Sequence, residues 1–186
     1  MIKTLKNNLV YTNRFFDIFD DNVLFNGKTE GTYLKLKPKN VNPKAGGIMV
    51  LPITTEGKIV LQQEYRYGYG NWMYSVVAGF TSDQLSLEES VLRELREEIQ
   101  HETKIENIKI LGKTVNMPNI IGDNLFLYYA EKCSLNENYK PELEESFRNR
   151  LYLTLDEAFN MVMENKIICS ASQFMILKYY ILQNKK

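Results

Sequence analysis

Three glutamates lie close together in one predicted helix and could bind a divalent cation. Ser86-Leu87-Glu88-Glu89 has the form of a capping box, in which a Ser side chain and a Glu three residues later satisfy free amides at a helix start. The helix that follows places Glu94, Glu97 and Glu98 on one face, because residues three and four apart are neighbours on a helix. Carboxylate oxygens are the ligands that Mg²⁺ and Mn²⁺ prefer. The alternative interpretation is a solvated charged face in which Arg93 pairs with Glu97.

The spacing around these glutamates resembles the Nudix box, Gly-x5-Glu-x7-Arg-Glu-U-x-Glu-Glu-x-Gly-U, in which U is aliphatic. Gly79 and the run Arg93-Glu94-Leu95-Arg96-Glu97-Glu98 match the box in register. Two positions depart from it, because Leu85 stands where the box has its first Glu and Gln100 stands where it has Gly. Further segments, Gln63-Glu64-Tyr65-Arg66 among them, look like the branch that acts on ADP-ribose and nucleoside diphosphate sugars.

This resemblance implies a fold, a cofactor and a substrate class. The fold would be α+β, an α/β/α sandwich around a mixed sheet, with residues 43–186 as the Nudix hydrolase domain. Residues 1–42 would form a small N-terminal β-strand subdomain that takes part in a homodimer. The expected cofactor is Mg²⁺ or Mn²⁺, and the expected partner is a small nucleotide substrate whose pyrophosphate bond is hydrolysed. The alternative is a catalytically weak or inactive Nudix-fold module that binds nucleotides for regulation.

The resemblance also implies roles for the residues of the box. By position, Glu94 and Glu98 would be metal ligands and Glu97 would be a ligand or a carboxylate that orients water. The Ala78 carbonyl would be a further metal contact. A bound divalent ion could neutralise a pyrophosphate and lower the pKa of an attacking water.

A carboxylate outside the box often serves as base or additional ligand in this branch. Glu144 and Glu145 are the first candidates, and Asp123 stands behind them. An acidic surface loop without a catalytic role explains these residues equally well.

Substrate contacts are expected from one arginine and two aromatic residues. Arg66 could bind a phosphate, since a guanidinium matches phosphate oxygens in bidentate geometry, although a surface ion pair explains it as well. Phe15 and Phe16 could stack on a nucleobase. Packing in the core or at a dimer interface is the competing interpretation for both.

The two departures from the box carry structural expectations. With Leu85 in place of Glu, Arg93 is left to pair with Glu97 or Asp83, and catalysis could survive in weakened form. The box Gly usually takes a left-handed conformation, which costs a non-Gly residue roughly 1–2 kcal/mol. Gln100 is therefore expected to make the helix end differently.

The remaining elements follow from periodicity and turn signals. Residues 48–53 and 59–66 flank a Glu-Gly turn and predict a β-hairpin. A second capping box at Thr154 predicts a helix to residue 163, and a last helix is predicted over 172–182. Its inward residues are expected to be Phe174, Leu177, Tyr180 and Ile181. Short strands are predicted at 23–25, 32–37, 74–78, 108–111, 125–130 and 151–153.

Composition excludes several classes of function. The 186 residues carry 23 Lys+Arg and 23 Asp+Glu, so there is no basic excess of the kind that nucleic-acid or membrane-surface binding needs. No apolar run approaches the roughly 20 residues of a membrane span, and no secretory signal is visible, which predicts a cytoplasmic protein. Cys133, Cys169 and the single His101 lack ligand spacing, which argues against a zinc site or a Ser-His-Asp triad.

Overall fold

The computed structural model describes residues 1–42, 45–122, 124–139 and 147–185, which form strands and helices in two connected regions. The strands, numbered in chain order, are β1 (Ile2–Lys6), β2 (Leu9–Thr12), β3 (Phe16–Phe25), β4 (Thr29–Pro38), β5 (Gly47–Thr54), β6 (Ile59–Arg66), β7 (Asn71–Ser75), β8 (Val77–Phe80), β9 (His101–Glu102), β10 (Ile108–Thr114), β11 (Leu125–Leu135) and β12 (Phe147–Leu153). The helices are α1 (Leu87–Ile99), α2 (Leu155–Met163) and α3 (Ser170–Asn184). The predicted base candidates Asp123, Glu144 and Glu145 lie outside the described residues.

The main sheet is buried between helices on both of its faces. Strand β5 shows this arrangement, because Ile48 and Val50 belong to the core beneath α1 while Met49 and Leu51 belong to the core beneath α2 and α3. A strand covered on both faces is apolar along its whole length rather than alternating, as this one is. Strand β11 runs parallel to β5, whereas the other paired strands of this sheet are antiparallel. The predicted α/β/α sandwich around a mixed sheet is confirmed.

The predicted β-hairpin is present as two strands that diverge from their turn. Strands β5 and β6 pair only at Ile53 and Ile59. Beyond that point β5 pairs with β8 and β11, and β6 pairs with β7 and β12. The chain passes from one half of the sheet to the other at Val76, whose N–H donates to Ser172 Oγ of α3 at 3.2 Å. A gap therefore opens between β6 and β8.

Helix α1 begins as predicted and covers this gap. Ser86 Oγ accepts from the Glu89 N–H at 3.1 Å, and Glu89 Oε2 accepts from the Ser86 N–H at 2.8 Å. Buried Val91, Leu95 and Ile99 attach the helix to the sheet. The glutamates that share the helix with this apolar stripe are thereby fixed above β8.

The expectation that Gln100 would end α1 differently is wrong. Gln100 takes the left-handed conformation itself, with φ +56°. Its side chain compensates, because Nε2 donates to the Tyr139 carbonyl and Oε1 accepts from Arg150 at 2.9 Å. Its carbonyl accepts from the Asn136 N–H at 2.8 Å. The helix end is thus tied to the 136–139 turn and to β12.

The predicted inward face of α3 is wrong for two residues. Phe174 and Ile181 are 45% and 49% exposed, whereas Met175, Ile176 and Tyr179 are buried. This helix carries apolar side chains on nearly all sides, so periodicity did not single out the packed face. It also begins two residues earlier than predicted, at Ser170.

Residues 2–38 form a separate four-stranded sheet that touches the main sheet at one end. In it β3 pairs with β4 along one edge and with β1 and β2 along the other. The Leu36 N–H donates to the Ile120 carbonyl at 2.8 Å, and the rings of Phe16 and Phe80 meet edge to face at 5.6 Å. The strands predicted at 23–25 and 32–37 are therefore parts of β3 and β4. No helix among the described residues has the length and apolar character to cross a membrane.

Candidate active site

A cavity of about 820 Å³ opens where α1, β6, β8 and the end of the N-terminal sheet meet. It brings together the predicted site residues that the structure describes. Its lining includes Phe15, Phe16, Arg66, Ala78, Gly79, Arg93, Glu94, Glu97 and Glu98. The lining thus combines acidic and aromatic side chains. Cys169, which precedes α3, and Ser170 and Ala171, the first two residues of α3, also line the cavity.

Gly79 gives Glu94 the room to lie against the strand. Glu94 is buried, and a Cβ placed on Gly79 would lie 2.1 Å from Glu94 Cδ. Real Cβ atoms do not approach other atoms this closely, so any side chain at position 79 would displace the carboxylate. This box glycine therefore leaves open the space beside β8 that the Glu94 carboxylate occupies.

Arg93 links the box helix to the strand before it. Its Nη2 donates to the Phe80 carbonyl at 2.6 Å and also contacts Glu94 Oε1. The predicted pair with Glu97 is present at ion-pair distance, with 3.6 Å between Arg93 Nε and Glu97 Oε2. A single guanidinium thus reduces the repulsion between two of the three glutamates.

Glu98 lies in the gap between the two halves of the sheet. Its Oε2 accepts from Gln62 Nε2 of β6 at 2.6 Å and from the Ala78 N–H of β8 at 3.2 Å. Glu98 and Gln62 are both buried, with 3% and 1% of their surface exposed. The carboxylate therefore has its orientation set by one donor from each half.

Sequence reasoning gave no role to Glu64, which lines the same cavity. Its Oε2 lies 2.6 Å from Arg66 Nη2, and its side chain is 14% exposed. Burial raises the pKa of the Glu64 carboxyl above its ordinary value, and the Arg66 guanidinium opposes that rise. The two-residue alternation of side chains along β6 could have identified Glu64. Val60, Gln62 and Glu64 share the face of this strand that looks toward α1.

The donor atoms at this cavity fit a hard divalent cation in an open site. Within the described ranges, no three His, Cys, Asp or Glu side chains stand close enough to form a ready-made metal cluster. Mg²⁺ is commonly held by only one or two carboxylates together with waters and substrate phosphates. Glu94 and Glu98 stand one helical turn apart and line one cavity, which suits that open arrangement.

Comparison with known proteins identifies the family to which the chain belongs. The family model for the NUDIX domain matches residues 43–169. A methanol dehydrogenase activator of Bacillus methanolicus is 30% identical over 166 residues, which cover 89% of this chain and 85% of the relative. An ADP-ribose pyrophosphatase of Bacillus subtilis (strain 168) is 24% identical over 182 residues, 97% of this chain and 93% of the relative. The crystal structure of an ADP compounds hydrolase superposes with a TM-score of 0.82 at 16% identity and covers 99% of this chain and 95% of that one. With its box glutamates gathered at one cavity and its family match spanning more than half its length, the chain belongs to the NUDIX domain family.

Proposed function

We propose that the protein is a divalent-cation-dependent hydrolase of a nucleoside diphosphate linked to another group, of the ADP-ribose or nucleotide-sugar type. The products would be a nucleoside monophosphate and a phosphorylated remainder. One observation carries the proposal: all three box glutamates line one cavity together with Ala78, Gly79 and Arg66. Support also comes from the relative named as an ADP-ribose pyrophosphatase.

The residues of the cavity divide the work of binding a charged and partly aromatic substrate. Glu94 and Glu98, with the Ala78 carbonyl, would hold Mg²⁺ or Mn²⁺, which when bound neutralises the pyrophosphate and acidifies a water. Arg66 faces the same space and is suited to bind a phosphate oxygen. Phe15 and Phe16 line the same cavity and are suited to stack on the nucleobase.

Hydrolysis adds water across the P–O–P bridge. The water oxygen bonds to one phosphorus, and the bridging oxygen leaves with the other phosphoryl group. Glu97 is more exposed than Glu94 and Glu98, which suits a carboxylate that orients or deprotonates this water. Glu144 and Glu145, outside the described residues, remain proposed as alternative bases.

The test is hydrolysis of a panel of such substrates with Mg²⁺ or Mn²⁺, followed by product separation. We expect nucleoside monophosphate release that chelation abolishes and added metal restores. Glu98→Gln should lower kcat by roughly 100-fold or more, as loss of a preorganised charge in an active site does. Glu88→Gln is the matched control, because Glu88 is on the same helix but outside the cavity, and it should retain activity. Equal activity of both variants would contradict the proposal.

A second candidate is a nucleotide-binding module that regulates another protein with little or no turnover. It is favoured by the 30% identical relative, which is named as an activator of methanol dehydrogenase. Leu85 in place of the first box Glu is consistent with weakened catalysis. This candidate predicts thermal stabilisation by ADP-ribose without product formation, and full turnover at ordinary enzyme concentrations would exclude it.

A further inference from the structure

The divided sheet places two hydrogen-bond donors on one oxygen of Glu98. Gln62 Nε2 reaches it from β6 and the Ala78 N–H reaches it from β8. We propose that Gln62 is a positioning residue, which fixes the Glu98 carboxylate in the orientation that binds the divalent cation. This inference rests on the proposed function, because it assigns Glu98 to the metal.

The environment of Gln62 argues for such a role over simple packing. Gln62 is 1% exposed and stands next to Leu61, which is fully buried and apolar. Its Oε1 is buried and has no hydrogen-bond partner among the described residues. An unsatisfied buried acceptor destabilises the folded protein, and an apolar side chain at this position would avoid that penalty. The Gln62 amide therefore carries the penalty of one unsatisfied oxygen, while its Nε2 donates to Glu98.

The orientation of the amide is set by charge. If the Gln62 side chain were flipped, Oε1 rather than Nε2 would lie 2.6 Å from a carboxylate oxygen of Glu98. Two acceptors at that distance repel, so a carboxylate that is ionised, as a metal ligand must be, selects the observed amide orientation. With a backbone donor fixed on the same oxygen, rotation of the carboxylate about its last bond is restricted.

Groups that orient metal ligands are commonly worth 10–100-fold in metal affinity. The measured quantity is therefore the Mn²⁺ dissociation constant of the full chain, obtained by electron paramagnetic resonance without any nucleotide. Gln62→Met keeps the length of the side chain but removes its donor, and we expect it to weaken Mn²⁺ binding by about 10–100-fold. Gln63→Met is the matched control, because Gln63 is the next residue of β6 and faces away from α1.

An unchanged Mn²⁺ affinity in folded Gln62→Met would overturn the inference. Equal weakening in Gln63→Met would overturn it too, because the effect would then come from β6 as a whole. Should Gln62→Met fail to give native circular dichroism, Gln62→Asn keeps the amide on a side chain too short to reach Glu98. The same weakening is expected of that variant, and its absence would overturn the inference equally.

A double variant and a kinetic readout separate this inference from the proposed function. Gln62→Met should have no further effect on Mn²⁺ affinity in a Glu98→Gln background, and additive losses would show that Gln62 acts elsewhere. In wild-type background, Gln62→Met should raise the metal concentration for half-maximal hydrolysis more than it lowers kcat at saturating metal. Substrate hydrolysis with normal Mn²⁺ affinity in Gln62→Met would refute only the role of Gln62. Absence of both Mn²⁺ binding and hydrolysis in the wild type would refute both proposals.

Discussion

At the scale of single residues, Gly79 is the position where one added carbon should have the largest effect on function. Gly79→Ala would place a Cβ 2.1 Å from Glu94 Cδ, so the carboxylate must leave its place against β8. We expect this variant to lose roughly 10-fold or more in Mn²⁺ affinity and in kcat/KM. Titration of Mn²⁺ and initial-rate assays would measure the two effects.

Gly68→Ala serves as the control for this substitution. Nothing lies within 4 Å of a Cβ at position 68, and its backbone φ is not positive. Activity and Mn²⁺ affinity should stay at wild-type values there. Wild-type affinity in Gly79→Ala would show that Glu94 can relocate without loss and would contradict its assignment as a ligand.

The resemblance of the residue spacing to the Nudix box was sufficient to predict many of the residues that line the cavity. The box glutamates, Gly79 and Arg93 stand at intervals that a helix and its preceding loop convert into proximity. Gln62 and Glu64 were missed for a physical reason. Their position in the site depends on which face of β6 looks toward α1. The local sequence of a strand does not determine which element packs against each of its faces.

At the scale of elements, the C-terminal end of α1 shows how another residue can occupy the position where the Nudix box has glycine. Gln100 holds a left-handed backbone at φ +56° and gains hydrogen bonds to Tyr139 and Arg150. Gln100→Ala keeps the strained backbone and loses both bonds, whereas Gln100→Gly loses the bonds but relieves the strain. We expect both variants to be less stable than the wild type, with the Ala variant lower than the Gly variant by about 1 kcal/mol.

Urea unfolding followed by circular dichroism measures this difference. Asn165→Gly is a useful control, since Asn165 also has positive φ, at +57°, in the turn after α2. Relief of backbone strain should leave that variant at least as stable as the wild type. A Gln100→Gly variant more stable than the wild type would contradict the stabilising role of the Gln100 side chain.

Element starts were predictable from sequence, and pairing partners were not. Ser86 and Thr154 were identified from four residues each, because a capping box is a local hydrogen-bond pattern. The divergence of β5 from β6 is a property of the whole sheet, in which β8 pairs with the edge of β5 that β6 leaves and β11 pairs with the opposite edge. The inward face of α3 was missed at Phe174, since an almost uniformly apolar helix presents no distinct stripe.

At the scale of the whole molecule, the N-terminal sheet exposes apolar side chains that suit contact with a second copy. Leu9 and Tyr11 of β2 are 54% and 55% exposed, and β2 pairs only with β3 among the described strands. We expect the protein to sediment as a homodimer in analytical ultracentrifugation. The double variant Leu9→Glu/Tyr11→Glu should sediment as a monomer, because two charges would then be buried at the interface.

A single exposed apolar residue outside the N-terminal sheet provides the comparison. Ile110 of β10 is 59% exposed, and Ile110→Glu should leave the sedimentation coefficient unchanged. A monomeric wild type would contradict the dimer. A dimer that survives the double variant would place the interface away from β2.

The parallel pairing of β5 with β11 has a consequence for the order in which the protein can be made. The two strands are roughly 80 residues apart in sequence, so the ribosome completes β5 long before its partner exists. At typical synthesis rates of 5–20 residues per second, the apolar edge of β5 waits roughly 4–16 s for β11. During that interval the nascent chain presents an unpaired hydrophobic strand to chaperones and to neighbouring chains. Helix α1 can form early, but β5 is enclosed by β11 only late in translation. Slowing synthesis between residues 54 and 125 would therefore prolong the period in which aggregation is most favoured.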